Sequence, residues 1–540
     1  MKVRFRICKW LSREEFLEIV SFADYVGRNG GCSIFELSLT GRLDLDKLLD
    51  FLNSLDSFGA VFEDRDRNIL EEFKKNINTV IIEAIEPGIV VLRSRRMLAD
   101  FLHEYRSDGS VWYSRKHKGF VVKPYRLVDV VNRLRSEGFR IEDKTGILEP
   151  RERLRIEFVG KLREYQAEAL EAWVENSYRG VIALPTGAGK TIVALAAIAR
   201  LKLPTLIVVY TKEQVREWLE KIRKFLALPL GMVGAYYSDE KRLAAITVTT
   251  YQSAYQHIGL LYNRFGLLVV DEAHHLPADK FKLIAEKILA PYRLALSATP
   301  YREDGRHEEL FRLVGGVIYE KSLQELAERG FVASFQVIPV LVNLEPDEKK
   351  KYEKLKNEYK VLSAGRKVEE LVKAASAGDE RAKKALQLLS QMRLLVALSR
   401  AKLAEAKRIV DSELAKGSKI LVFTQYIEQA ERVGKILGAP VITSKTDKAR
   451  RALAFELFKR GRYRVLVLTT VGDEGIDVPD ANVGLILSGT SSRRQFIQRL
   501  GRLLRPQPGK VSKLYYIAVR GTAEQAILKK IAEEVLASMT

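Results

Sequence analysis

The sequence predicts an α/β fold with two parallel-sheet domains in tandem, a small α/β region before them and a helical insertion between them. Three observations carry this. Apolar runs of four or five residues recur from about Lys161 onward, alternating with helical patterns. A second series of the same kind starts near Lys419. The stretch between them is rich in Lys, Glu, Ala and Leu. The chain has 540 residues, and at roughly 150 residues per domain three or four units are expected.

Residues 1–150 carry no nucleotide motif and mix strand-like runs with amphipathic helices. A loose internal echo relates Arg42-Leu43-Asp44 through Gly59 and Glu63-Asp64 to Arg126-Leu127-Val128-Asp129 through Gly138 and Glu142-Asp143. Each copy reads as strand, helix, glycine turn, strand, as two small α/β units would. The two cysteines, Cys8 and Cys32, have no CxxC partner. Two thiols alone cannot supply the four ligands of a zinc or iron–sulfur site. They are expected as small buried residues in a reducing compartment, with no iron–sulfur cluster.

The first parallel-sheet domain is expected over 151–335. Gly180–Leu184, Thr205–Val209, Leu267–Val270 and Leu294–Leu296 are continuous apolar runs, the pattern of strands buried on both faces of a parallel sheet. With helices between them they form βαβ units. The second domain is expected over 336–540, with strands in Lys419–Phe423, Arg464–Leu468 and Val483–Leu487. The insertion, about 345–400, has no proline after Pro346 and is punctuated by Gly365 and Gly378, which predicts two or three helices. Lys349, Lys350, Lys351, Lys354 and Lys356 make its start basic.

Pro185-Thr186-Gly187-Ala188-Gly189-Lys190-Thr191 follows a strand and opens a helix. That is the context of a phosphate-binding loop, in which glycines turn backbone N–H groups toward phosphate oxygens and the helix N-terminus adds its dipole. Lys190 is expected to reach the β and γ phosphates of ATP, and the Thr191 hydroxyl to bind Mg²⁺. The first glycine of the general pattern would fall at Leu184, a departure shared by helicase loops that begin Pro-Thr-Gly. Asp271-Glu272-Ala273-His274 follows the Leu267–Val270 strand. Asp271 is placed to hold Mg²⁺ and Glu272 to act as general base on the attacking water. His274 has no ligand cluster around it and is expected to link this site to the next motif. Gln166, with Arg163 beside it, lies about twenty residues upstream. Its carboxamide can donate and accept, as reading an adenine edge requires.

Gln498-Arg499-Leu500-Gly501-Arg502-Leu503-Leu504-Arg505 puts arginines three apart on one helical face. A guanidinium fork can take γ-phosphate charge, which makes Gln498, Arg502 and Arg505 catalytic candidates. Asp473-Glu474-Gly475-Ile476-Asp477-Val478-Pro479, with Asp477 on the nucleotide side, is expected at the cleft between the domains. Ser297-Ala298-Thr299 follows another strand and can relay cleft closure through its hydroxyls.

Lys+Arg minus Asp+Glu is 90 − 69 = +21, and the pI is near 9.6. A surplus of that size points to a polyanionic partner. Trp112-Tyr113-Ser114-Arg115-Lys116-His117-Lys118 interleaves aromatic and basic groups, though a strand burying Trp112 beside a basic edge explains it better. No apolar run approaches the roughly 18–20 residues of a membrane span, and no apolar stretch follows the basic start as in a signal peptide.

In this order, the motifs at Pro185–Thr191, Asp271–His274, Ser297–Thr299, Asp473–Pro479 and Gln498–Arg505 resemble superfamily 2 helicases over about residues 155–520. Arg302-Glu303-Asp304 is similar to the RED motif of the XPB repair helicases, with Gly305–Glu308 fitting after it. Val478–Gly484 also resembles the archaeal members. The resemblance implies two tandem RecA-like domains, a thumb-like role for the insertion, and a damage-recognition-like role for 1–150. It implies a 3′–5′ DNA helicase or translocase in nucleotide excision repair, using ATP and Mg²⁺, with Arg302, Glu303 and Asp304 serving DNA unwinding. Thr211, Thr250, Thr424 and Thr470 each follow a strand and are similar in place to helicase motif positions that usually touch the sugar–phosphate backbone; that resemblance implies contacts which position a strand without reading its sequence. Eukaryotic relatives act within TFIIH, and archaeal relatives partner a structure-specific nuclease. The expected setting is a prokaryotic cytoplasm, at the nucleoid. An RNA helicase would lack the RED motif and the insertion. A restriction-type translocase would bring a nuclease motif, and none is found. A DNA-binding clamp, or an ATPase switched on by a nuclease partner, is the alternative class.

Overall fold

The structure, a computed structural model, describes residues 2–39, 45–148, 153–301, 304–331, 335–469, 481–488 and 512–529. Two parallel sheets dominate it. The first has eight strands in the order Glu240–Lys241, Val233–Tyr237, Ile246–Thr250, Thr205–Val209, Leu267–Val270, Tyr292–Ser297, Arg179–Ala183, Val317–Glu320. All neighbours are parallel except the edge hairpin of Glu240–Lys241 with Val233–Tyr237. The central strands are buried throughout, which is why they read as unbroken apolar runs. Their side chains still divide by parity. Ile207 and Val209 join one core with Tyr165, Trp173 and Trp218. Leu206 and Val208 join the opposite core with Tyr251, Leu261 and Leu313.

The second sheet is wholly parallel, in the order Phe335–Val342, Ser512–Val519, Val483–Ile486, Ile420–Thr424, Val465–Thr469, Val441–Ile442. Between its first two strands in the chain lie the helices Pro346–Ser363, Val368–Ser376 and Glu380–Ala397, followed by Arg400–Ala415. The glycines expected to punctuate the insertion do so. Gly365 (φ 78°) and Gly378 (φ 98°) occupy the left-handed turns between helices, where a side chain would be strained.

The first 148 residues contain two further sheets. Ala23–Asn29, Cys32–Ser38, Lys2–Ile7 and Ala60–Phe62 form an antiparallel sheet in that order. With the helices Arg13–Val20 and Leu45–Ser54 this is a split β-α-β-β-α-β arrangement of ferredoxin-like type. The second sheet runs Val111–Ser114, Gly119–Val122, Ile89–Ser94, Thr79–Glu86, Arg140–Asp143. The echo is real only locally. Leu45–Ser54 and Leu127–Ser136 are each followed by a positive-φ glycine, Gly59 or Gly138, and then a strand. Leu127, Val128 and Asp129 are helical rather than strand. Moreover, Ala60–Phe62 pairs antiparallel whereas Arg140–Asp143 pairs parallel.

The cysteine expectation is corrected. Cys8 and Cys32 form a disulfide, Cys8 is exposed and Cys32 half-buried. The antiparallel register that sets Ile7 opposite Ser33 brings these two residues face to face one step later, with Cα atoms 4.0 Å apart.

The second N-terminal sheet is docked on the domain of the eight-stranded sheet. The Gly88 N–H donates to the Lys287 carbonyl at 3.0 Å. Arg179 Nη1 donates to both Asp129 oxygens at 2.9 and 2.8 Å. Arg312 donates to the Tyr125 hydroxyl at 3.0 Å, and the Tyr125 ring is buried in one core of that domain.

Candidate nucleotide site

The motifs of the first domain meet at the carboxyl ends of adjacent strands. Leu184 leaves the Arg179–Ala183 strand and its N–H bonds to the Ser297 carbonyl at 3.1 Å. The loop then turns through Gly187 (φ 86°) and Gly189 (φ 81°) into the helix Lys190–Leu201. At Gly189 the positive φ strains any side chain, and a Cβ would also stand 2.5 Å from Gln166 Nε2, which would have to shift.

Lys190 is buried, and its Nζ donates to the Leu184 carbonyl at 2.9 Å. Burial pushes its pKa down, while Glu272 and then Asp271 pull it up. The Thr186 hydroxyl is also buried, with no hydrogen-bond partner among the described residues. A phosphate group supplies acceptors for both donors, so these residues fit a nucleotide. Thr191 and Asp271 are hard oxygen donors of the kind magnesium takes.

Asp271 is fixed at both oxygens. Oδ1 accepts the Glu272 N–H at 3.0 Å and Oδ2 accepts the Trp218 indole N–H at 2.9 Å. The Tyr251 hydroxyl donates to the Asp271 and Glu272 carbonyls at 3.1 and 3.3 Å. Glu272 holds a left-handed backbone, φ 48°. For a residue with a side chain this costs about 1 kcal/mol or more, and such strain concentrates at functional sites. His274, 1% exposed, lies with Nδ1 3.5 Å from Glu272 Oε2 and 3.5 Å from Ser297 Oγ. Ser297 Oγ in turn accepts the Thr299 N–H at 3.1 Å. The expected link from Asp271–His274 to Ser297–Thr299 therefore runs through His274.

Other expected residues are placed differently. Gln166 is buried and spans two jobs: Oε1 accepts the Arg163 N–H at 2.9 Å, and Nε2 donates to the Ala188 carbonyl at 3.1 Å. One N–H and one lone pair of the carboxamide remain. The Arg163 guanidinium turns away from the loop and donates to the Phe331 carbonyl at 2.7 Å. Tyr165 joins the two places, its hydroxyl on the Ala188 carbonyl at 2.7 Å and its ring 4.9 Å from Phe331.

The threonines were expected on nucleic acid. Thr211 and Thr250 instead cap helices, accepting the Gln214 and Ser253 N–H groups at 3.2 and 3.3 Å. Thr424 is 0% exposed, and its hydroxyl donates to the Leu468 carbonyl at 3.4 Å. Trp112 is half-buried under the Lys123 ammonium, 5.4 Å from its ring, and Tyr113 beside it is exposed. Asp304 is exposed, and its Oδ1 accepts the Arg306 N–H at 3.2 Å. Arg302, Glu303, Thr470, Asp477, Gln498, Arg502 and Arg505 lie outside the described residues. The sequence reading missed Trp218 and Tyr251. The available signal for Trp218 was a tryptophan on the inner face of an amphipathic helix, whose buried N–H must find an acceptor.

Among known families, the model "Type III restriction enzyme, res subunit" matches residues 160–302. "Helicase conserved C-terminal domain" matches 401–507. The DNA 3′-5′ translocase XPB2 of Sulfurisphaera tokodaii is 41% identical over 69% of this chain and 85% of its own length. The chain belongs to the XPB family. The putative DNA 3′-5′ helicase Rad25 of Halobacterium salinarum is 31% identical over 83% of this XPB-family chain and 67% of the relative. The general transcription and DNA repair factor IIH helicase/translocase subunit XPB of Encephalitozoon cuniculi is 30% identical over 64% of the chain and 49% of the relative. Among the described residues, no helix is long and apolar enough to cross a membrane.

Proposed function

We propose that this chain is an ATP-dependent DNA helicase or translocase of 3′–5′ direction that opens duplex DNA in nucleotide excision repair. The observation that carries the reading is the convergence of Lys190, Asp271 and Glu272 with the His274–Ser297 link at the carboxyl ends of adjacent strands of a parallel sheet, in a chain 41% identical to a DNA translocase over 85% of that protein.

Lys190 exchanges the Leu184 carbonyl for phosphate oxygens, and the Thr186 hydroxyl gains an acceptor. Thr191 and Asp271 would hold magnesium, which when bound would neutralise phosphate charge and polarise the γ-phosphoryl group. Glu272 orients the attacking water as general base. The Glu272–His274–Ser297 link reports the state of that carboxylate to the Ser297–Thr299 segment. Arg502 and Arg505, with Gln498 before them, complete the γ-phosphate environment from the second domain, beside Asp477. Loss of the γ-phosphate bridge opens the cleft, and alternate grip on DNA by the two domains yields a step. Arg302, Glu303 and Asp304 serve strand separation, and the basic insertion serves DNA grip. A structure-specific nuclease is the proposed partner, and the nucleoid the proposed place of action.

The test is ATP turnover without nucleic acid, with forked DNA and with single-stranded RNA, beside Lys190→Ala. Strong stimulation by the fork, little by RNA and loss in the variant are expected. Equal stimulation by RNA would overturn the DNA assignment.

A further inference from the structure

The helix Lys212–Phe225 follows the Thr205–Val209 strand, which is the sheet neighbour of the Leu267–Val270 strand that leads into Asp271. Its inner face is Val215, Trp218 and Ile222, all buried. An indole N–H can only donate, and once buried it needs an acceptor. Trp218, 2% exposed, finds it on Asp271 Oδ2 at 2.9 Å. The Glu272 N–H takes Oδ1 at 3.0 Å. Each oxygen thus has one fixed donor, which sets the plane of the carboxylate and leaves its remaining lone pairs for another ligand. One helical turn beyond Trp218, Lys221 Nζ lies 3.4 Å from Thr191 Oγ1. An ammonium there occupies the hydroxyl oxygen that a divalent ion would need, and two cations on one oxygen repel. The same helix therefore touches both oxygen donors proposed for the metal, in opposite senses.

We propose that the Lys212–Phe225 helix tunes the metal site from behind: Trp218 is a positioning residue that sets the Asp271 carboxylate for the divalent ion, and Lys221 competes with that ion for Thr191. This rests on the reading of the loop as a Mg·ATP site. It also gives the helix capped by Thr211 a direct mechanical path to the metal ligands, since a shift along its axis moves both contacts together.

The experiment is equilibrium binding of a fluorescent ADP to the full chain, once in excess Mg²⁺ and once in EDTA, for wild type, Trp218→Phe and Lys221→Met. Trp218→Phe keeps an aromatic ring and removes the donor. Losing an outer hydrogen bond to a metal ligand weakens metal binding roughly 10- to 100-fold. Trp218→Phe is expected to weaken ADP binding at least about tenfold in Mg²⁺ and to leave it unchanged in EDTA. Lys221→Met is expected to act the other way, tightening the Mg²⁺ form about threefold as a competing charge is removed. A packing role for Trp218 would weaken both forms equally, and that result overturns the proposal. So does a Trp218→Phe chain with an unaltered ratio of the two affinities. Lys221→Met, on a half-buried residue, supplies the second reading if Trp218→Phe does not fold, and an unchanged or weakened Mg²⁺ affinity in it overturns the competition. Wild-type chain that binds no ADP in either buffer overturns the ATP-site reading itself, and the proposal with it.

Discussion

Lys190 and Lys402 are both buried lysines beside carboxylates, and burial pushes both pKa values down. They differ in how their protons are used. Lys402, 0% exposed, donates to the Leu487 carbonyl at 2.9 Å and to the two Glu524 oxygens at 2.7 and 2.6 Å. An ammonium has three N–H donors, so Lys402 is saturated. Lys190 makes one hydrogen bond among the described residues, to the Leu184 carbonyl. A buried ion in full use is part of the scaffold. A buried ion with donors to spare is waiting for a ligand, and the difference separates a structural lysine from a functional one without reference to any motif.

The contrast can be broken at either end. The largest effect is expected from Lys190→Ala, which should cut DNA-stimulated ATP turnover roughly 1,000-fold, about 4 kcal/mol of barrier, measured as steady-state phosphate release. Lys402→Met leaves Glu524 charged without its cation and should cost about 3–4 kcal/mol of stability in urea unfolding. A loss below about 1 kcal/mol would end the distinction drawn here.

Glu413 sharpens it with a carboxylate. Burial raises its pKa, but hydrogen bonds from Lys416, Lys513 and Tyr515 outweigh that and hold it at about 2, against an ordinary 4.5. Because the folded value is the lower one, the stability from this group is present above pH 4.5 and is lost as pH falls toward 2. Glu413→Gln should cost roughly 2 kcal/mol at pH 7 and flatten that acid limb in unfolding midpoints taken across it. The smallest effect is expected from Lys190→Met on stability: within about 1 kcal/mol of wild type in the same urea measurement, since no carboxylate loses a hydrogen bond.

What the sequence disclosed follows the same division between saturated and open groups. The strands Thr205–Val209 and Leu267–Val270 coincide with their apolar runs because burial on both faces leaves no polar position to blur the ends. The insertion was legible from two glycines. Side-chain direction at strand ends was not. Thr424 and Thr250 are the last residues of their strands rather than the first after them. Both side chains are buried there, because the alternation of the strand rather than its place after an apolar run sets the face they take. The Asp271 site was legible as far as its own motif. Trp218 stands 53 residues away in sequence, and periodicity marks it only as core. Arg163 immediately precedes the helix Glu164–Glu175, yet its guanidinium follows the Phe331 carbonyl 168 residues later, a contact no local pattern encodes. The disulfide was missed because the register pairing Ile7 with Ser33 is a long-range property of the sheet.

The docking of the second N-terminal sheet has a mechanical consequence. Gly88 on Lys287, Asp129 on Arg179 and Tyr125 with Arg312 fasten it at three separate points, and a body held at three points has no free axis of swing. The hairpin Val111–Val122, with exposed Tyr113 and the basic turn at Arg115, Lys116 and Lys118, therefore turns with the first motor sheet through the same angle. A rotation of that sheet would carry the exposed tip of the hairpin through a longer path than its docked base.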